Sequence, residues 1–149
     1  MKNLIITSVF FLISLVSFSQ KIMSMSLRQV KNTYLRGANS MDDVLSNPNS
    51  VSDIFITDYT YEFNFEKNEY LIFGSNGKNF TNKITKVEKN KNKILIQALS
   101  ETDDERFNNV CPVNFIIDTK AKTLILHYKD VTTNIYEIYE SPNILLTSK

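Results

Sequence analysis

The sequence predicts an all-β fold, a mostly antiparallel meander of about seven or eight strands. Three observations carry that reading. Phe55, Thr57, Tyr59, Tyr61, Phe63 and Phe65 alternate with Ile54, Ile56, Asp58, Thr60, Glu62 and Asn64, a period-two run rich in aromatic and β-branched residues that marks a strand. Between Tyr70 and Tyr139 the apolar runs are short and recur between polar turns. The links hold no helical crossover, so successive strands must run antiparallel. A meander of this length closes or nearly closes into a β-barrel, or folds into a two-sheet sandwich. The barrel is the first expectation and the sandwich the alternative.

Taken in order, the chain begins with a segment unlike the rest. Lys2 gives a positive start, Leu4 to Phe18 is almost unbroken apolar chain, and Ser17 and Ser19 put small residues where a signal peptidase reads. The run is shorter than the roughly 20 residues a spanning helix needs. Residues 1–19 are therefore expected to be a secretory signal peptide, with residues 20–149 forming one β-rich domain outside the cytoplasm, periplasmic or secreted.

Residues 20–52 read as an irregular lead-in. Met23, Met25 and Leu27 alternate with serines as a strand would, whereas Leu27, Val30, Lys31 and Tyr34 suit a short helix, and the pattern does not separate the two. Ser40-Met41-Asp42-Asp43 has a cap and acids in the first turn, so a short N-terminal helix is expected there with Val44 and Leu45 inward.

Residues 53–140 form the meander. Its strands are expected at Asp53 to Phe65, Tyr70 to Phe73, Phe80 to Val87, Lys93 to Leu99, around Val113 to Ile117, Leu124 to Tyr128, and Asn134 to Tyr139. Gly74-Ser75-Asn76-Gly77 is the strongest turn, since glycine accepts positive φ without strain. Pro142 cannot donate to a ladder, so the sheet is expected to stop near it. In strand count and short hairpins the arrangement resembles a lipocalin-type barrel, although that family's Gly-x-Trp signature is absent from a chain without Trp.

Composition excludes several functions. Removing Lys2 leaves sixteen basic residues against sixteen acidic ones. That balance gives nucleic acid and anionic membranes no electrostatic hold, and no stable membrane insertion is expected after cleavage. A lone cysteine, Cys111, excludes an intramolecular disulfide. Its parity with Val113, Phe115 and Ile117 reads as a core thiol. His127, the lone histidine, sits between Leu126 and Tyr128 on the opposite strand face, without HExxH or a Cys/His cluster. No catalytic motif, metal set or cofactor motif emerges, so the chain is not expected to be an enzyme. A hydrolase built on His127 or Cys111 is the least favoured class.

Three surface features read as structural. Glu101, Asp103, Asp104 and Glu105 lack the spacing and glycine of a calcium loop. Lys78, Lys83, Lys86, Lys89, Lys91 and Lys93 suit the protection of a sheet edge. Asn79-Phe80-Thr81 matches a glycosylation sequon of the length that arises by chance.

The most informative candidate is aromatic. Tyr59, Tyr61, Phe63 and Phe65 share one face of the longest predicted strand, and Phe115, Tyr128 and Tyr136 are expected beside them. In a barrel these rings line a cavity for an apolar ligand or simply fill the core. The functional expectation is an exported small binding protein holding an apolar or amphiphilic small molecule. The alternative is an envelope or secreted interaction module (an inhibitor, immunity or assembly factor) with a protein partner and no ligand cavity.

Overall fold

A computed structural model describes residues 22–73, 79–101, 110–130, 132–140 and 142–147. The signal-peptide expectation, the Gly74 to Gly77 turn and Asp103, Asp104 and Glu105 of the acidic loop lie outside the described residues. Among the described residues no helix is long and apolar enough to cross a membrane.

The fold is all-β. Nine described strands form one antiparallel sheet: β1 (Ile22–Arg36), β2 (Val51–Asn64), β3 (Glu69–Phe73), β4 (Asn79–Asn90), β5 (Lys93–Glu101), β6 (Val110–Asp118), β7 (Thr123–Asp130), β8 (Thr133–Glu140) and β9 (Asn143–Thr147). Hydrogen-bonded order is β2-β3-β4-β5-β6-β7-β8-β1-β9, and β1 also pairs with β2. The meander from β2 to β8 follows the alternation read from the sequence.

The lead-in departs from expectation. It holds the longest strand, 15 residues, rather than irregular chain. Met23, Met25 and Leu27 are buried, as their alternation with Ser24 and Ser26 implies. Beyond Leu27 the pattern breaks: the register against β2 slips between Leu27 and Gln29, and the adjacent Asn32 and Thr33 are both buried. A bulge of this kind interrupts period two and hides the strand from a periodicity reading.

The end of the sheet also departs from expectation. β8 pairs with β1 from Arg36 down to Lys31, and β9 resumes the pairing from Ser26 to Ile22. Pro142 falls in the gap between those two ladders, where no donor is required. The sheet pauses at Pro142 instead of stopping.

The expected helix is present as α1 (Met41–Ser46). The Ser40 hydroxyl accepts from the Asp43 N–H at 3.1 Å, and the Asp43 carboxylate accepts from the Asn39 N–H at 3.0 Å. Val44 is buried but Leu45 is 59% exposed, correcting the expectation that both face inward. Adjacent helical residues point about 100° apart, so one turn on a sheet buries only one of them.

Two apolar clusters divide the sheet's faces. The inner face carries the main core, with Met23, Met25, Phe63, Tyr70, Ile96, Phe115, Ile117 and Leu124 almost wholly buried. On the outer face, Ala38 and Val44 cover Ile125 and Ile138, with Leu35, Met41, Ile116 and Tyr136 around them. The turns at one end are fixed by short side chains. Asn64 Oδ1 accepts from the Glu66 and Lys67 N–H groups, and Asp118 Oδ1 from those of Lys120 and Ala121.

Candidate functional site

The inner face is packed in one region and open in another. Phe63 marks the boundary. Its ring meets Phe115 edge-on at 5.2 Å and Tyr70 at 5.7 Å, and Tyr70 in turn meets Phe115 edge-on at 5.2 Å. Tyr61 closes the group with an edge contact to Phe115 at 5.6 Å. Such ring pairs add to their area burial and fix one another's orientation.

Beyond this aromatic floor lies a cavity of about 500 Å3, a size typical of small-molecule sites. Tyr61, Tyr70 and Phe115 line it from the floor. Val113, Leu126, Tyr128 and Ile135 supply side walls from three consecutive strands, β6, β7 and β8. Cys111 and Ser100 also line it.

The polar groups are few and specific. Ile135, Glu137 and Tyr139 alternate onto the inner face of β8. Tyr128 donates its hydroxyl to Glu137 Oε1 at 3.3 Å, and Tyr139 donates to Oε2. Glu137 thus stands in the cavity wall gripped by two phenols. At the strand ends Arg36 bonds Asp130 at 2.6 Å, with Arg36 67% exposed and Asp130 17%.

The tyrosines titrate abnormally. Burial, reinforced by the Glu137 carboxylate, pushes the Tyr128 phenol up to about 12 and that of Tyr139 further up. Burial also raises Tyr70 to about 12, opposed by a hydrogen bond with Ser100. All three phenols therefore remain protonated donors across the neutral range.

Of the seven aromatic residues singled out in the sequence, Tyr61, Phe115 and Tyr128 line the cavity. Phe63 lies beneath it, fully buried, and Phe65 packs against the core under the Lys89 ammonium, 4.9 Å from its ring centre. The Tyr59 side chain lies outside the described residues. Tyr136 is not beside the others: it faces outward and stacks on His127 at 4.2 Å. The pairing register explains this correction, because Tyr128 faces Ile135 and Tyr136 faces His127.

The two reactive side chains lie on opposite faces of the sheet. His127 Nδ1 lies 3.3 Å from Asn114 Nδ2 on the outer face, while Cys111 belongs to the inner core. Among the described residues no group of three or more His, Cys, Asp and Glu side chains is placed to hold a metal ion. The described lysines of the basic stretch are exposed, and Lys86 bonds Glu88. A second depression of about 530 Å3, lined by groups such as Lys67, Thr81 and Lys83, has no aromatic wall.

Sequence reasoning missed Glu137, Tyr70, Tyr139, Arg36 and Asp130. Period two carried a signal for one of them, since Glu137 shares parity with the apolar Ile135 and Tyr139. The chain matches no known protein family, and no characterised protein is significantly similar to it.

Proposed function

We propose that this protein is an exported carrier that holds one apolar or amphiphilic small molecule inside a β-barrel. The observation that carries the reading is the aromatic-walled cavity above Phe63, with a tyrosine-held carboxylate in its wall. A filled interior would have favoured a purely structural role for the rings. Support for a rolled-up sheet comes from β1, which bonds β2 along one edge and β8 and β9 along the other. A single continuous ladder through the nine described strands favours a barrel over two separate packed sheets. Export rests on the apolar leader at residues 1–19.

A second reading, an interaction module, is favoured by β2. Among the described pairings β3 covers β2 only from Thr60 to Asn64, and upstream of that Val51 and Ile54 are exposed, the latter at 74%. An extended segment of a partner protein would add to such an edge.

Native mass spectrometry of the protein purified from its own host separates the two readings. The carrier reading expects a reproducible small-molecule adduct that vanishes on denaturation. Bare protein that also takes up no added alkyl amphiphile would sink it.

A further inference from the structure

We infer that the cavity selects a cationic amphiphile, an apolar body bearing a positively charged nitrogen; this rests on the carrier reading above. The argument begins with charge. Among the described residues, the lining carries three carboxylates, Glu101, Asp130 and Glu137, and one cation, Arg36. Arg36 is committed to Asp130 at 2.6 Å. Glu137 has no ion-pair partner among the described residues, and its neighbours Tyr128 and Tyr139 are neutral donors. Among the described residues the lining is therefore net negative by two formal charges, and Glu137 has no counterion there.

Geometry then decides what kind of group fits. Each Glu137 oxygen accepts one phenol hydrogen and retains a further acceptor direction. An ammonium placed there gains a charge-assisted contact. The aromatic rings of Tyr61, Tyr70, Phe115 and Tyr128 surround the same space, and ring faces attract cations. A carboxylate or phosphate head would instead meet like charge in that wall. Val113, Leu126 and Ile135 accommodate the apolar body.

The test titrates the intact mature protein by calorimetry with probes sharing one tail: decyltrimethylammonium, decylammonium, decanol and decanoate. The two cations should bind at least about tenfold more tightly than decanol, with decanoate weakest. Their advantage should shrink as salt is raised, while decanol binding holds. Glu137→Gln should remove most of that advantage, with its folding checked separately by circular dichroism and its thermal midpoint. Decanol binding as well as the cations, or decanoate binding best, overturns cation selection while the carrier reading stands. Failure of all four probes to bind overturns the carrier reading itself. If Glu137→Gln does not fold, the ranking and its salt dependence in the unsubstituted protein still decide the question. A ranking of trimethylammonium over primary ammonium assigns recognition mainly to the rings, and the reverse order mainly to hydrogen bonds from the nitrogen to Glu137. Both orders support the inference.

Discussion

At the residue scale the molecule turns on Phe63. Its ring is fully buried and touches Phe115, Tyr70, Tyr61 and Phe65. Phe63→Ala should lower unfolding stability by about 3–5 kcal/mol in a denaturant titration, since the surrounding rings cannot collapse fully into the void. Phe63→Asp should not fold at all, because an unpaired charge would be buried. A stable, soluble Phe63→Asp protein would place the ring in water and contradict the core described above. Cys111→Ser should cost only about 1 kcal/mol and leave ligand binding intact. Lost binding in a folded serine variant would assign the thiol a chemical role. These inner residues were legible because Tyr59, Tyr61 and Phe63 of β2 and Cys111, Val113, Phe115 and Ile117 of β6 each fall on one parity of their strand. Tyr136 was misplaced because β8 has apolar residues on both faces, Ile135 and Tyr139 inward, Tyr136 and Ile138 toward α1. Glu137 was passed over because a charged residue in an alternating strand usually marks the solvent side. Here two phenols, Tyr128 and Tyr139, each donate to one of its oxygens within the wall.

At the element scale, α1 is a local structure with a local cause. It has one turn of helix, a serine cap and one buried anchor, Val44. Ser40→Ala should destabilise the protein by about 1 kcal/mol in a denaturant titration. Ligand affinity should be unchanged, because α1 lies on the face opposite the cavity. A binding defect in the folded Ser40→Ala protein would mean that the outer cluster controls the inner one. The strands from β2 to β8 were readable from period two and short links. β1 and β9 were not, and for separate reasons. The bulge near Gln29 breaks the alternation of β1, and Pro142 divides what is in effect one long partner of β1 into two short ladders. In both places long-range pairing prevails over local pattern.

At the scale of the whole molecule, one face of the sheet serves two purposes: rings and aliphatic groups pack around Phe63, and beside them lies the cavity of about 500 Å3. The phenols within it make the fold sensitive to alkali. Tyr70 and Tyr128 titrate at about 12 and Tyr139 is raised further, against about 10 in an unfolded chain. The folded state therefore holds these protons more tightly than the unfolded one, and stability falls where the unfolded chain releases them first. Thermal midpoints should be unaffected by these groups below about pH 10 and should drop steeply from there toward about 12. A flat profile across that window would mean that the three hydroxyls are solvated.

The central claim, that the hollow region receives a ligand, is tested most directly by titrating decanol into the unsubstituted protein and into Leu126→Trp. Leu126 lines the cavity and is only partly buried, so the larger ring should occupy the ligand's space without unfolding the chain. The account predicts saturable one-to-one binding to the unsubstituted protein and its loss in the folded tryptophan variant. Absence of saturable binding in the first, or undiminished binding in the second, would contradict it.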